Sequence, residues 1–203
     1  MTDPTLTTRA LNRALLDRQM LLERAADPLP RVVERMGGIQ MQYPPSGYIG
    51  LWSRMRDFTR PMLTRALEDR SVIQGTLMRG TIHTVSAADY WPMLAGVRRI
   101  NREWYTRIAG AELAGIDMEA AVQATRELLA DRPMRFADLA AALEARGFPR
   151  AAAKAIGWWV DLVRVPPSGT WDARRADLYG LSEWWTTPVE VSEDDGIELL
   201  VRR

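Results

Sequence analysis

The chain has 203 residues, 47% of them hydrophobic, with eight tryptophans, enough to build a packed core in one large domain or two small ones. It has no cysteine, and His83 is its one histidine. That excludes disulfides, a thiol nucleophile and thiolate or multi-histidine metal sites, and no metal or organic cofactor is implied. The net charge of +1 is unevenly placed: residues 1–110 hold 16 of the 27 cations but 10 of the 26 acids. The first half is therefore the one suited to a polyanion, although ordinary surface variation produces such imbalances too.

Residues 8–26 read as an amphipathic helix, capped by Thr7 or Thr8, with Leu11, Leu15, Leu22 and Ala26 at helical spacing. The start of the chain, Met1 to Arg9, is polar and acidic with no apolar run, unlike a signal peptide. No stretch nears the roughly 20 apolar residues of a membrane span, and the lack of cysteine fits a reducing cytoplasm. After Asp27-Pro28-Leu29-Pro30, a short helix through Val32, Val33 and Met36 ends at Gly37-Gly38. Pro44-Pro45 bars a helix there and Ser46 caps the next, which is expected to bury Tyr48, Leu51, Trp52 and Met55. Another helix covers about 61–68. The period then changes: Ser71 to Ser86 is rich in Val, Ile and Thr and reads as a β-hairpin turning near Arg79-Gly80. Ser86 to Asp89 resembles a capping box opening a long helix through Tyr90, Leu94, Val97, Asn101 and Trp104.

Small residues at 110–115 mark a domain boundary, after which the order repeats. Asp117 caps a helix to about Asp131, with Val122, Thr125 and Leu128 inward. A second runs over 136–146, and a third from Pro149 to Leu162. Val163 to Val165 and Leu178 to Leu181 read as two strands. The expected fold is mainly α with small β-hairpins, an α+β chain of tandem winged-helix (helix-turn-helix) domains at 1–110 and 111–190. Residues 191–203 then open a third unit, whose short helix at Asp194-Asp195-Gly196 needs a surface to dock on. Trp184-Trp185 is either an association patch or packing for further chain.

Winged helices meet nucleic acid through a helix in the major groove and a wing along phosphates. Ser53 and Arg54 on the helix after the proline pair, with Arg79 and His83 on the first hairpin, are the DNA-contact candidates; each is equally an ordinary surface or hydrogen-bonded residue on pattern alone. Lys154 is the one lysine; arginine suits phosphate forks and is also what a GC-rich coding sequence produces. The sharpest local feature is Gln40-Met41-Gln42. Alternate residues of an extended segment point the same way, so two carboxamides, with paired donors and acceptors, can face one water; a polar loop gives the same pattern.

Several segments together carry a resemblance. Gly37 to Ser46, Gly50-Leu51-Trp52-Ser53-Arg54, Arg79-Gly80-Thr81-Ile82-His83 and Asp89-Tyr90-Trp91-Pro92 are similar to the AlkZ/YcaQ family of winged-helix DNA glycosylases. Glutamine at both positions of the Gln-x-Gln motif resembles the AlkZ-like branch rather than the Gln-x-Asp one. The resemblance implies a monofunctional DNA repair glycosylase that removes bulky N7-alkylated purines from double-stranded DNA, interstrand crosslinks included. Gln40 and Gln42 would be its catalytic residues, and the protein is expected to act as a cytoplasmic, nucleoid-associated monomer. Family members continue into a third winged helix and a β-barrel, so residues 191–203 are expected to begin that third unit. The alternative is a non-catalytic winged-helix DNA-binding protein or transcriptional regulator.

Overall fold

A computed structural model describes residues 5–203; residues 1–4 of the polar leading stretch lie outside the described residues. The Thr7 hydroxyl accepts from the Ala10 N–H at 3.2 Å and opens α1 (Thr8–Arg18). This helix is shorter than the sequence pattern suggests. Met20 takes a left-handed φ of 54° and drops into the core, which turns the chain out of the helix. Leu11 and Leu15 consequently face solvent, and Ala25 pairs in extended form with Met55.

α2 (Leu29–Arg35) buries Val32 and Val33 and ends on Gly37 and Gly38, both at positive φ. A Cβ on Gly38 would sit 2.8 Å from Val85 Cγ1, so glycine lets this corner close onto the sheet. β1 (Ile39–Gln40) follows. α3 (Pro44–Arg54) begins at the proline pair instead of after it, because the first helical turn needs no N–H donor there. Ser46 is inside this helix, its hydroxyl donating back to the Tyr43 carbonyl at 2.7 Å. Tyr48, Leu51 and Met55 are buried as expected, whereas Trp52 lies on the outer face beneath Arg24. α4 (Arg60–Glu68) completes this first group of helices.

β2 (Val72–Thr76) and β3 (Ile82–Ser86) form the expected hairpin, tightened by a turn at Met78–Gly80. The Ser86 hydroxyl accepts from the Asp89 N–H and starts α5 (Ala87–Leu113). This helix runs across residue 110 without a break. α6 (Met118–Leu129), capped by Asp117, buries Ala121, Ala124, Thr125 and Leu129, while Val122 and Leu128 sit at the margin. β4 (Met134–Arg135) and α7 (Phe136–Ala145) come next. α8 (Arg150–Ala155) is half the expected length: the chain tightens into a turn at Ile156–Trp158 and enters β5 (Leu162–Arg164). β6 (Leu178–Leu181) leads into the short α9 (Ser182–Trp185).

The two hairpins are not separate sheets. Antiparallel pairing joins all strands into one sheet in the order β1-β3-β2-β5-β6-β4. The junction is β2 on β5, with Gln74 opposite Arg164 and Gly75 opposite Val163. Strand pairing is satisfied by any neighbouring edge, so two adjacent hairpins merge when their edges meet. Three apolar clusters surround this sheet: one under α2 to α4, one among α6 to α8, and one between the sheet and α5.

The last element, α10 (Glu193–Arg202), does find a dock. It packs on α5 where Gly196 meets Gly96: a Cβ on Gly196 would lie 2.4 Å from the Pro92 carbonyl oxygen. Arg99 pairs with Glu193 at 2.8 Å and Arg203 with buried Asp89 at 2.8 Å. The Asp89 carboxylate, read as half of a capping box, thus meets Arg203 instead. Trp185 stacks on Arg70 at 4.2 Å, and Trp184 stays exposed.

Candidate functional site

Gln40 ends β1 directly opposite His83 on β3. The next residue, Met41, is fully buried. Its N–H donates to the Ile82 carbonyl at 2.8 Å. Its sulfur accepts from the Thr84 hydroxyl at 2.8 Å and faces the Gln74 amide at 3.8 Å. With Met41 inside, extended geometry places Gln40 and Gln42 outside, and both are exposed. The two amides differ in freedom. Gln42 Oε1 accepts the Ile82 N–H at 3.1 Å, which also fixes its orientation, since only the oxygen can accept. Its Nε2 is left to donate outward. The Gln40 carboxamide makes no hydrogen bond among the described residues, so it offers both an acceptor and a donor.

His83, directly across from Gln40 on β3, lies on the same face of the sheet. It is 6% exposed, and its Nδ1 lies 3.0 Å from the Thr81 carbonyl oxygen, so Nδ1 carries the proton and donates. Burial holds its pKa below the usual value; the Thr81 contact raises it and Arg79 lowers it. The ring is therefore neutral at pH 7 and has little surface for a phosphate. Arg79 is the opposite case, exposed at the hairpin tip with φ 55°. Ser53 and Arg54 lie together at the end of α3. Arg54 Nη1 donates to the Gly50 carbonyl and to Ser53 Oγ, each at 3.0 Å, and Nη2 reaches Gln19 at 3.3 Å. Ser53 Oγ itself donates to the Gly50 carbonyl. Burial lowers the Arg54 pKa. The structure thus brings Gln40, Gln42 and His83 to one strand pair with Arg79 at its tip, while the bonds of Ser53 and Arg54 run to their own helix and to Gln19.

A cavity of about 330 Å³ opens beside Gln42, walled by Ile82, Lys154, Trp158, Arg164 and Tyr179. Arg164 is 8% exposed. Its Nη2 donates to the Tyr179 hydroxyl at 3.2 Å, its guanidinium lies 4.4 Å over that ring, and its Nε has no hydrogen-bond partner. Burial lowers its pKa, with Tyr179 working against that; arginine stays charged nonetheless. The sequence pattern gave Val163-Arg164-Val165 as a strand but not what covers it. The available signal was a charged residue between two β-branched ones.

Among the described residues no group of three His, Cys, Asp or Glu side chains is placed to hold a metal, and no helix is long and apolar enough to cross a membrane.

A family model described as DNA glycosylase AlkZ-like matches residues 33–203. Among solved structures, the DNA glycosylase AlkZ of Streptomyces sahachiroi is similar, with a TM-score of 0.71 and 18% identity. The match covers 92% of this chain and 53% of that one, so the chain spans about half the length of that protein and the likeness is one of fold. No curated protein matches.

Proposed function

The chain belongs to the AlkZ-like DNA glycosylase family, and from that premise we propose that it hydrolyses the N-glycosidic bond of bulky, cationic N7-alkylguanines in double-stranded DNA, crosslinked ones included. Gln40 and Gln42 hold the attacking water. The observation that carries this is their unequal bonding: Gln42 Oε1 is anchored by the Ile82 N–H, which leaves Nε2 turned out to donate, while Gln40 keeps an unbonded carbonyl. A water between them would donate to Gln40 Oε1 and accept from Gln42 Nε2, which turns its remaining lone pair toward the sugar.

An amide takes no proton at neutral pH, so it is a poor general base. It suffices when the leaving group is already cationic. The C1′–N9 bond breaks with its electrons going to the alkylated base, which leaves neutral. The positively charged sugar then takes the water oxygen, and the surplus proton passes to solvent. The products are an abasic site and free alkylguanine, with no lyase step, as a monofunctional enzyme gives. Neutral damaged bases such as uracil lack that driving force. A crosslinked base is tethered to both strands and resists flipping, and the exposed setting of the glutamine pair on an edge strand suits such a substrate. The helices and hairpin of residues 1–110 and those of residues 111–190 act as two winged-helix units that hold duplex DNA as a monomer, their hairpins sharing one sheet. The cationic excess of the first half and exposed Arg79 support this.

The test is release of N7-methylguanine from alkylated duplex DNA. Gln40→Ala is expected to lower the rate by about 100-fold and Gln42→Ala by somewhat less, with the double variant close to background. Full release by the double variant, or efficient release of uracil by the wild type, overturns the reading.

A further inference from the structure

The geometry points to the cavity beside Gln42 as an oxyanion subsite, with Arg164 as its central cation, that grips a phosphodiester of the DNA strand carrying the damaged base. This rests on the glycosylase reading above and deepens it.

Arg164 stands on β5 near the middle of the sheet, where an unpaired charge is destabilising. Among the described residues it has no carboxylate partner. The acids nearby on neighbouring segments are engaged elsewhere: Asp161 with Arg98 at 2.8 Å, and Asp177 with Arg135 at 2.9 Å and Arg175 at 2.8 Å. What Arg164 does have is a phenol on one nitrogen, a ring face, and a bare Nε. None of these neutralises a guanidinium. The wall adds a second cation, Lys154, and contains no Asp or Glu. A guanidinium whose one side-chain bond is to a phenol, a lysine and a tyrosine hydroxyl around one cavity form a donor set for phosphate oxygens.

The wall is also built to stay open. Gly80 at the hairpin turn takes φ 65° and closes on Trp158, where a Cβ would come within 2.6 Å of the ring. Trp158 in turn stacks on Tyr105 at 5.2 Å. The hairpin tip and the turn after α8 are thus locked together over the cavity. Its charge argues against housing the lesion, since a cationic base would be repelled by Arg164 and Lys154. The anionic part of the same nucleotide is what fits. Gln42 lines the cavity and also forms half of the water site, so a phosphate held there would set the distance from sugar to water. Arg164 is in that sense a positioning residue.

The test uses undamaged duplex DNA, so that it reads contact without chemistry. Affinity is measured against salt concentration for the wild type, Arg164→Gln and Lys154→Gln. Arg164→Gln is expected to weaken binding by about tenfold at low salt and to reduce the slope of log affinity against log salt by about 1; Lys154→Gln lowers both by less. Unchanged affinity and slope in Arg164→Gln overturn the proposal. If that variant does not fold, Lys154→Gln decides, because its side chain is exposed: an unchanged slope overturns. Sodium phosphate is compared with sodium chloride at equal ionic strength. Extra displacement of duplex by phosphate from the wild type that is lost in Arg164→Gln supports competition for this subsite, whereas extra displacement that persists unchanged in Arg164→Gln overturns it. Failure of the glycosylase reading shows separately, as absent base release by a wild type whose binding still depends on Arg164.

Discussion

The edge of the sheet and its central seam carry polar side chains on opposite terms. At the β1 edge, Gln40 and Gln42 stand in solvent and one amide is anchored by a backbone N–H. At the β2–β5 seam, Gln74 faces Arg164 and both are buried. There, Gln74 Oε1 and Arg164 Nε have no partner. An exposed amide costs little when unbonded because water serves it, whereas a buried polar atom keeps its full desolvation cost until something bonds it. The edge therefore presents groups already satisfied in the free protein. The seam holds polar atoms that stay unbonded in the free protein. Met41 couples the two, since its backbone is in the edge pairing and its sulfur reaches Gln74.

The strongest way to break this contrast is to remove the coupler. Met41→Ala would empty a fully buried site packed against Gly47, where a Cβ on Gly47 would already touch Met41 Cγ at 2.5 Å. A loss of about 2–5 kcal/mol is expected, read by urea unfolding, together with slower base release as the glutamines lose their backing. Full stability with full activity would show that the edge holds itself. Gln74→Leu is a milder probe of the seam. It removes the unbonded Oε1 but also the Nε2 contact to the Gly169 carbonyl at 3.3 Å. The two effects oppose each other, so stability should stay within about 1 kcal/mol of the wild type. A much larger loss would mean that the seam amide is better satisfied than its geometry indicates.

This contrast also explains what could be read from the sequence. The hairpin at 71–86, the cap at Asp117 and the alternation of Gln40, Met41 and Gln42 are local patterns, and they stand in the structure where the pattern put them. The long leading helix failed because Leu11 and Leu15 match a helical period whether or not a partner covers them; Met20 decides the matter by turning inward. Arg164 was illegible for a related reason. Its burial comes from β5 pairing with β2, some ninety residues earlier in the chain, and no local period reports a strand's neighbour. The merging of two hairpins into one sheet has the same origin.

His83 gives the smallest and most selective test, because it lies between the two regions, opposite Gln40 on one side and Gly75 on the other. Burial, the largest influence, holds its pKa below 6.5; the Thr81 carbonyl opposes this and Arg79 adds to it. The unfolded chain therefore binds this proton more readily than the folded one. Its contribution to stability is complete above pH 6.5 and is lost as pH falls through the folded-state value. Melting temperature measured from about pH 8 down to about pH 5 should fall less steeply in His83→Asn than in the wild type. Asn is the apt replacement because its amide nitrogen takes the place of Nδ1 and can still donate to Thr81. Parallel curves for the two proteins would mean that the ring protonates in place, and hence that the strand between edge and seam is more open to water than its burial implies.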